Sequence, residues 1–250
     1  MTSGRRIVRG GQTIYGHALG ILMLDTRFPR IRGDVGNAET WPFPVLYQVV
    51  KGAATSRIMG KEPDPTLIAP FLEGARWLEA QGVKAITTSC GFLSIFQREM
   101  AAAVSVPVLT SSLLQVPLVA RLLKPDQKVG IITERPHLTE RHFEAVGWSS
   151  KTTSVCVASM PDNAVFPTVF IGDTAEADVD VLERELVETA RRAVADDPAI
   201  GALVLECTNF VPFSEAIRTA TGSPVYDLYT LVMHSYLATT GRSFRDSPWN

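Results

Sequence analysis

Apolar residues along this chain fall into short runs, separated by longer stretches of mixed character. Eight runs read as strands: ALGILMLD (18–25), VLYQVV (45–50), VKAITTS (83–89), VPVLT (106–110), VGIIT (129–133), SVCVAS (154–159), IGALVLE (200–206) and SPVYD (223–227). Most are rich in Val and Ile and alternate little with polar residues, as strands do in a parallel sheet covered on both faces. Between them, DPTLIAPFLEGARWLEAQG (64–82) predicts a helix with a proline near its start and a glycine at its end. EADVDVLERELVETARRAVADD (176–197) predicts the longest helix, acidic early and with arginines late, as the helix dipole favours. Strand and helix alternate, so the fold class is α/β.

The pattern also repeats. VKAITTSCGFLSIFQREMAAAVSVPVLT aligns without a gap on IGALVLECTNFVPFSEAIRTATGSPVYD, 117 residues later. Cys90 falls on Cys207, Phe96 on Phe213, Pro107 on Pro224 and Val108 on Val225. Each copy reads strand, cysteine, helix, X-Pro, strand. A weaker echo pairs GILML (20–24) with GIITE (130–134). Two similar α/β lobes are the simplest account.

Composition adds few constraints. The chain has 250 residues, is 46% hydrophobic and 20% charged, and carries a net charge of −2. With no basic run, neither nucleic acid nor an anionic membrane is expected as a partner. No apolar run reaches the length of a membrane span. The N-terminal MTSGRRIVRGGQTIYG is charged but lacks an apolar core, so a frayed lead-in and a cytoplasmic location are expected. The three cysteines, 90, 156 and 207, have neither metal-ligand spacing nor a disulfide framework, and free thiols are expected.

The repeat changes how two of those thiols read. Parallel α/β sheets bind ligands beyond the carboxyl ends of their strands. Cys90 and Cys207 lie there, each opening a helix, where unpaired N–H groups can lower a thiol pKa. A lone strand-end cysteine packs more often than it reacts. Packing, however, does not require cysteine twice at one repeat position. Two thiols facing one cleft suit removal of a proton from one face of a carbon and delivery to the other. Cys156, without a repeat partner, reads as a buried structural thiol.

TTSCGF and LECTNF resemble the two cysteine motifs of the aspartate/glutamate racemase superfamily, in order and spacing from about Ala18 to Leu237. That superfamily includes hydantoin racemases, maleate isomerases, arylmalonate decarboxylases and an algal-type dimethylsulfoniopropionate lyase. Cys207-Thr208-Asn209 is close to its Cys-Thr-X pattern. Cys90-Gly91-Phe92 departs from the Cys-Asn-Thr of the amino-acid racemases. The resemblance implies two lobes, each with a four-stranded parallel sheet flanked by helices and the active site in the cleft between them. The lobes would be 18–112 plus 226–250 with Cys90, and 113–225 with Cys207, after a flexible lead-in, 1–17. It implies catalysis without pyridoxal phosphate or metal, and the chain has no P-loop, GxGxxG or HExxH. It further implies that backbone N–H groups near Gly91 and Thr208 stabilise an enolate-like intermediate.

Other candidates follow from position. The long segment 24–45 after the first strand suggests a lid or binding loop, with Asp25, Asn37 and Thr40 as substrate ligands or turn formers and Phe43, like Trp41, as a wall or a pin. Thr133 ends the fifth strand and resembles a cleft threonine of the family, or else caps the next helix. Gly91, Phe92, Thr208 and Asn209, which flank the thiols, are further candidate substrate-binding residues. Glu206 could tune Cys207 or pair with an arginine. His137 and His142 read as surface residues of the following helix, and His234 as a packing or dimer contact in an expected homo-oligomer. The function expected is a cofactor-independent racemase or epimerase of a small carboxylate. The alternatives are a lyase that abstracts an α-proton and eliminates a β-group, a maleate-type isomerase, and a two-lobed binding module without catalysis.

Overall fold

The computed structural model describes residues 7, 8, 10–59 and 64–241. Among these, eight strands form two four-stranded sheets, all parallel. The first contains β1 (Leu19–Leu24), β2 (Val45–Val50), β3 (Ala85–Thr88) and β4 (Val108–Leu109) in the order β2-β1-β3-β4. The second contains β5 (Lys128–Thr133), β6 (Val155–Ser159), β7 (Ile200–Leu205) and β8 (Val225–Tyr226) in the order β6-β5-β7-β8. Each predicted strand is present, so both four-stranded parallel sheets are as the sequence implied. The inner strands explain the unbroken apolar runs: every residue of β1 is buried, because helices cover both faces of the sheet.

Among the described residues nine α-helices accompany the strands: α1 (Thr55–Ile58), α2 (Ile68–Ala80), α3 (Gln97–Ala103), α4 (Val116–Leu122), α5 (Glu140–Ala145), α6 (Val165–Phe170), α7 (Val179–Asp196), α8 (Ser214–Thr221) and α9 (Leu228–Thr240). The helix expected over 64–82 opens as a 3-10 turn, Pro65–Leu67, capped by the Asp64 carboxylate, and ends before Gly82 at φ 81°. α7 is capped by Asp178, which accepts from Asp180 and Val181 N–H.

The repeat is exact in three dimensions. Cys90 precedes a 3-10 turn, Gly91–Phe96, and Cys207 precedes one at Thr208–Phe213. β3 pairs with β4 at Ile86↔Val108, and β7 with β8 at Leu203↔Val225. Each pair maps onto the other at the same spacing of 117 residues.

After β8 the chain returns to the first sheet. Leu228, Leu231 and Val232 of α9 pack with Leu19, Ile21 and Ala85. Phe43 stacks on Tyr236, and Trp41 on Tyr229. α4 packs on the second sheet, against Val129, Ile131, Ala202 and Val204. The two crossings between lobes are bonded to each other: Gln115 Nε2 donates to Asp227 O at 2.8 Å, and Thr230 Oγ1 to Gln115 Oε1 at 3.2 Å.

Several side expectations are corrected. Gln12 donates to Ala80 O, so part of the lead-in is tied to the end of α2; residues 1–6 and 9, like the tail 242–250, lie outside the described residues. Cys156 is only half-buried, because it lies on the edge strand β6. His142 is buried rather than on the surface: it closes a capping box with Thr139 at the start of α5. His137 precedes that helix and contacts Met59 O across the lobes. His234 is exposed, so the packing half of its expected role does not hold. Among the described residues no helix is long and apolar enough to cross a membrane.

Candidate active site

Strand β3 runs on by one bond, Ser89 N–H to Leu22 O, and β7 by its equivalent, Glu206 N–H to Ile132 O. The next residue in each case is the cysteine, still extended (φ −152° and −72°), before the chain tightens into the 3-10 turn. This shared geometry delivers both thiols to one small, nearly closed cavity of about 20 Å³. Its walls are Leu24, Phe28, Thr55, Met59, Ser89, Gly91, Phe92, Glu134, Phe170, Glu206, Thr208 and Asn209. Cys90 and Cys207 are each 8% exposed and unpaired by any disulfide. A larger open depression lined by Pro117, Arg121, Lys124 and Trp148 carries neither thiol nor carboxyl group.

Two carboxyl groups mark this cavity. Glu134, at the end of β5, accepts from the Cys207 thiol at 3.4 Å. Glu206 accepts from Thr133 Oγ1 at 2.9 Å, which is the role of that threonine; it neither lines the cavity nor caps α5. Both glutamates are 1% exposed, and burial raises both to a pKa of about 8. Among the described residues the Oε1 atom of each has no hydrogen-bond partner, nor does Thr55 Oγ1. Glu134 and Thr55 carry no sequence signal beyond being polar residues near strand ends.

The same burial reverses the expectation for the thiols. Backbone N–H groups of Phe92 and Leu93 favour a Cys90 thiolate, and that of Asn209 favours a Cys207 thiolate. Desolvation and the nearby carboxyls outweigh them, so both thiols are pushed well up. A helix start is a local partial charge, whereas loss of water acts on the whole thiolate.

The two motifs are bonded to each other. Thr208 Oγ1 donates to Ser89 O at 2.8 Å. Asn209 Nδ2 donates to Asp34, which is 1% exposed and also accepts from Arg30 and Gly36 N–H. The amide orientation leaves Asn209 Oδ1 3.6 Å from Cys207 Sγ. Asp34 therefore moors the loop after β1, a role the sequence did not single out.

The other loop candidates lie outside the cavity. Asp25 pairs with Arg27 at 2.9 Å and accepts from Gly52 N–H. Asn37 caps the 3-10 turn Ala38–Thr40 and donates to Arg30 O. Thr40 accepts from Gly33 N–H and donates to Asp34 O. Phe43 pins the loop to α9. All four do the turn and packing chemistry that was their alternative.

Gly91 has a steric reason. A Cβ there would collide with Glu206 O and Oε1 and press on its carboxyl carbon at 3.0 Å. The departure from Cys-Asn-Thr and the Glu206 carboxyl across the cleft are thus one feature. Gly91→Ala is expected to lower stability by about 1–3 kcal/mol through overpacking, read by urea unfolding. An unchanged midpoint would show that Glu206 moves aside freely.

Comparison with known proteins agrees with this architecture. The family model for Asp/Glu/Hydantoin racemase matches residues 44–235. A dimethylsulfoniopropionate lyase of Durusdinium sp. clade D is 30% identical over 217 residues, covering 84% of this chain and 71% of that protein. Dimethylsulfoniopropionate lyase 3 of Emiliania huxleyi (strain CCMP1516) is 31% identical over 221 residues, and the match spans 57% of its length and 85% of this chain. In three dimensions a mutant of arylmalonate decarboxylase in a sulfate-associated form superposes with a TM-score of 0.61 at 16% identity, covering 90% of this chain and 94% of the other. Glutamate racemase from Aquifex pyrophilus gives 0.53 at 19% identity, covering 90% and 84%. By sequence match, repeat and fold, the chain belongs to the Asp/Glu/Hydantoin racemase family.

Proposed function

We propose that this enzyme is a lyase that removes the proton next to a carboxylate and expels a β-substituent, with dimethylsulfoniopropionate as its substrate. The observation that carries the reading is the inequality of the two thiols. The Cys207 thiol donates to Glu134, whereas among the described residues the Cys90 thiol donates to no side chain. A single base suffices for elimination; inversion needs two. The likeness to dimethylsulfoniopropionate lyases supports the choice of leaving group.

In this reading the ionised form of Glu134 takes the Cys207 proton and the thiolate takes the α-proton. The C–H electron pair becomes the Cα=Cβ bond. The Cβ–S bond breaks with its pair on sulfur, so the products are neutral dimethyl sulfide and acrylate. Thr55 Oγ1, buried and unpartnered, is the donor for the substrate carboxylate. Water exclusion keeps the thiolate strong once formed.

Racemisation of a small carboxylate is the second reading, favoured by both thiols lining one cavity. Incubation in D2O separates them. With dimethylsulfoniopropionate, dimethyl sulfide in the headspace and acrylate in the proton spectrum are expected in equal amounts. Aspartate, glutamate and hydantoins are run alongside. Their α-deuteration, with no dimethyl sulfide from the sulfonium substrate, would replace the lyase reading with the racemase one.

A further inference from the structure

The cavity walls carry a charge pattern that a carboxylate alone does not explain. Two buried carboxyl groups face in, and among the described residues no lysine, arginine or histidine lines the space. Glu134 Oε1 and Glu206 Oε1 are both buried and both without a partner. Leaving buried carboxyl oxygens unpaired is unfavourable unless something else meets them. The rest of the wall mixes apolar groups, the rings of Phe28, Phe92 and Phe170 with Met59 and Leu24, with the side chains of Thr55, Ser89, Thr208, Asn209 and the two cysteines. Aromatic faces attract cations, above all alkylated ones that carry no N–H to be satisfied.

We propose, building on the lyase reading, that Glu134, Glu206 and the rings of Phe92 and Phe170, beside Phe28, one face of which the Arg30 guanidinium already covers at 4.5 Å, form a receptor for an alkylated onium group, the positively charged sulfur or nitrogen of a small zwitterion. The onium group supplies the counter-charge that the site lacks, and its arrival ionises one of the two carboxyls. Among the described residues no group of three His, Cys, Asp or Glu side chains is placed to hold a metal ion. The alkyl-lined geometry fits an organic cation.

Ionisable groups face the two glutamates from both lobes. They are the Cys90 thiol from the end of β3, the Cys207 thiol from the end of β7, and Arg135 beside Glu134. Arg135 is turned toward Asp162 at 3.2 Å. His142 lies behind Phe92, ring centroids 5.2 Å apart, and burial lowers it to about 4, so it is neutral. Asp34 lies behind Asn209. At neutral pH the carboxyls hold their protons, and an incoming cation must displace one. Affinity should therefore rise with pH between 6 and 8 and level off above.

The test uses an isosteric pair that is not cleaved as the sulfonium is: 3-(trimethylammonio)propanoate and its uncharged-head analogue 4,4-dimethylpentanoate. Calorimetric titration of the full chain should show the onium compound binding at least about tenfold tighter at pH 8, with about one proton released per ligand near pH 6.5, across buffers of different ionisation enthalpy, and progressively less release as pH passes 8. Glu206→Gln and Glu134→Gln should each shrink that preference and the proton release. Binding is read because Glu134 also serves Cys207. Equal affinity of the two compounds for the unsubstituted protein, or onium binding without proton release, would overturn the receptor. The pair also separates this inference from the one beneath it. Onium preference without cleavage of dimethylsulfoniopropionate leaves the receptor standing and removes the lyase. Cleavage without onium preference does the opposite.

Discussion

Cys207→Ala is expected to abolish elimination, lowering the rate on dimethylsulfoniopropionate by about 10⁴-fold, while Cys90→Ala lowers it by only about tenfold. The asymmetry follows from hydrogen bonding. Cys207 has a proton acceptor at 3.4 Å, and Glu134, held by burial to a pKa of about 8, accepts and returns protons near neutral pH. Cys90 is pushed upward by burial and by Glu206, and among the described residues its thiol has no side-chain acceptor. It lines the opposite wall and shapes the space. Both side chains border the cavity and also pack at the edge of the two lobe cores, so each variant's fold is checked directly. Circular dichroism and a thermal melt establish that each variant is folded. Initial rates of dimethyl sulfide release then decide. Equal losses in the two variants would restore a two-thiol mechanism, and a Cys207→Ala enzyme of normal rate would end the assignment of the base.

The second large effect is on stability. The folded protein is expected to lose several kcal/mol as pH rises from 5 to 8.5, and the double variant Glu134→Gln/Glu206→Gln to lose much less. An unfolded glutamate titrates near 4.5, whereas these two titrate near 8 when folded. Between those values the native state binds more protons than the unfolded chain, so stability falls as pH increases. Above about 8 both states are ionised and the slope vanishes; below 4.5 both are protonated and the full stabilisation is present. At 1.36 kcal/mol per pKa unit, each carboxyl contributes on the order of 4 kcal/mol across the window. Asp227, raised by burial, acts in the same direction and remains in the variant, which is why the comparison and not the bare slope is the test. Urea midpoints at several pH values supply it. Parallel curves for the two proteins would mean that the glutamates are ionised in the folded state at neutral pH.

Much of this architecture is legible in one dimension. Strand runs buried on both faces leave an apolar signature that no surface strand shares, and all eight were readable for that reason. The repeat located both thiols, because a duplicated cysteine at the same strand end has no packing explanation. What escaped was whatever depends on the approach of distant segments. Glu134 and Thr55 face the cavity from separate lobes, and nothing in their neighbours tells that they lack partners. Asp25, Asn37 and Thr40 misled for a chemical reason: the side chains that form turns are those that bind small polar ligands. Thiol acidity was misjudged because helix starts are visible in sequence and desolvation is not.

The bond between the two lobe crossings has a mechanical meaning. Gln115 ties both passages of the chain together, through Asp227 and Thr230. Two covalent connections fastened side by side act as a hinge pin, and leave the lobes one easy relative motion, a swing about that pin. Twisting or sliding would tear the pin apart. A swing only parts the bridging contacts, such as Thr208 to Ser89 and His137 to Met59, and then restores them in the same register. Opening about such a pin would admit a ligand, and closure would bring the thiols back to the same alignment.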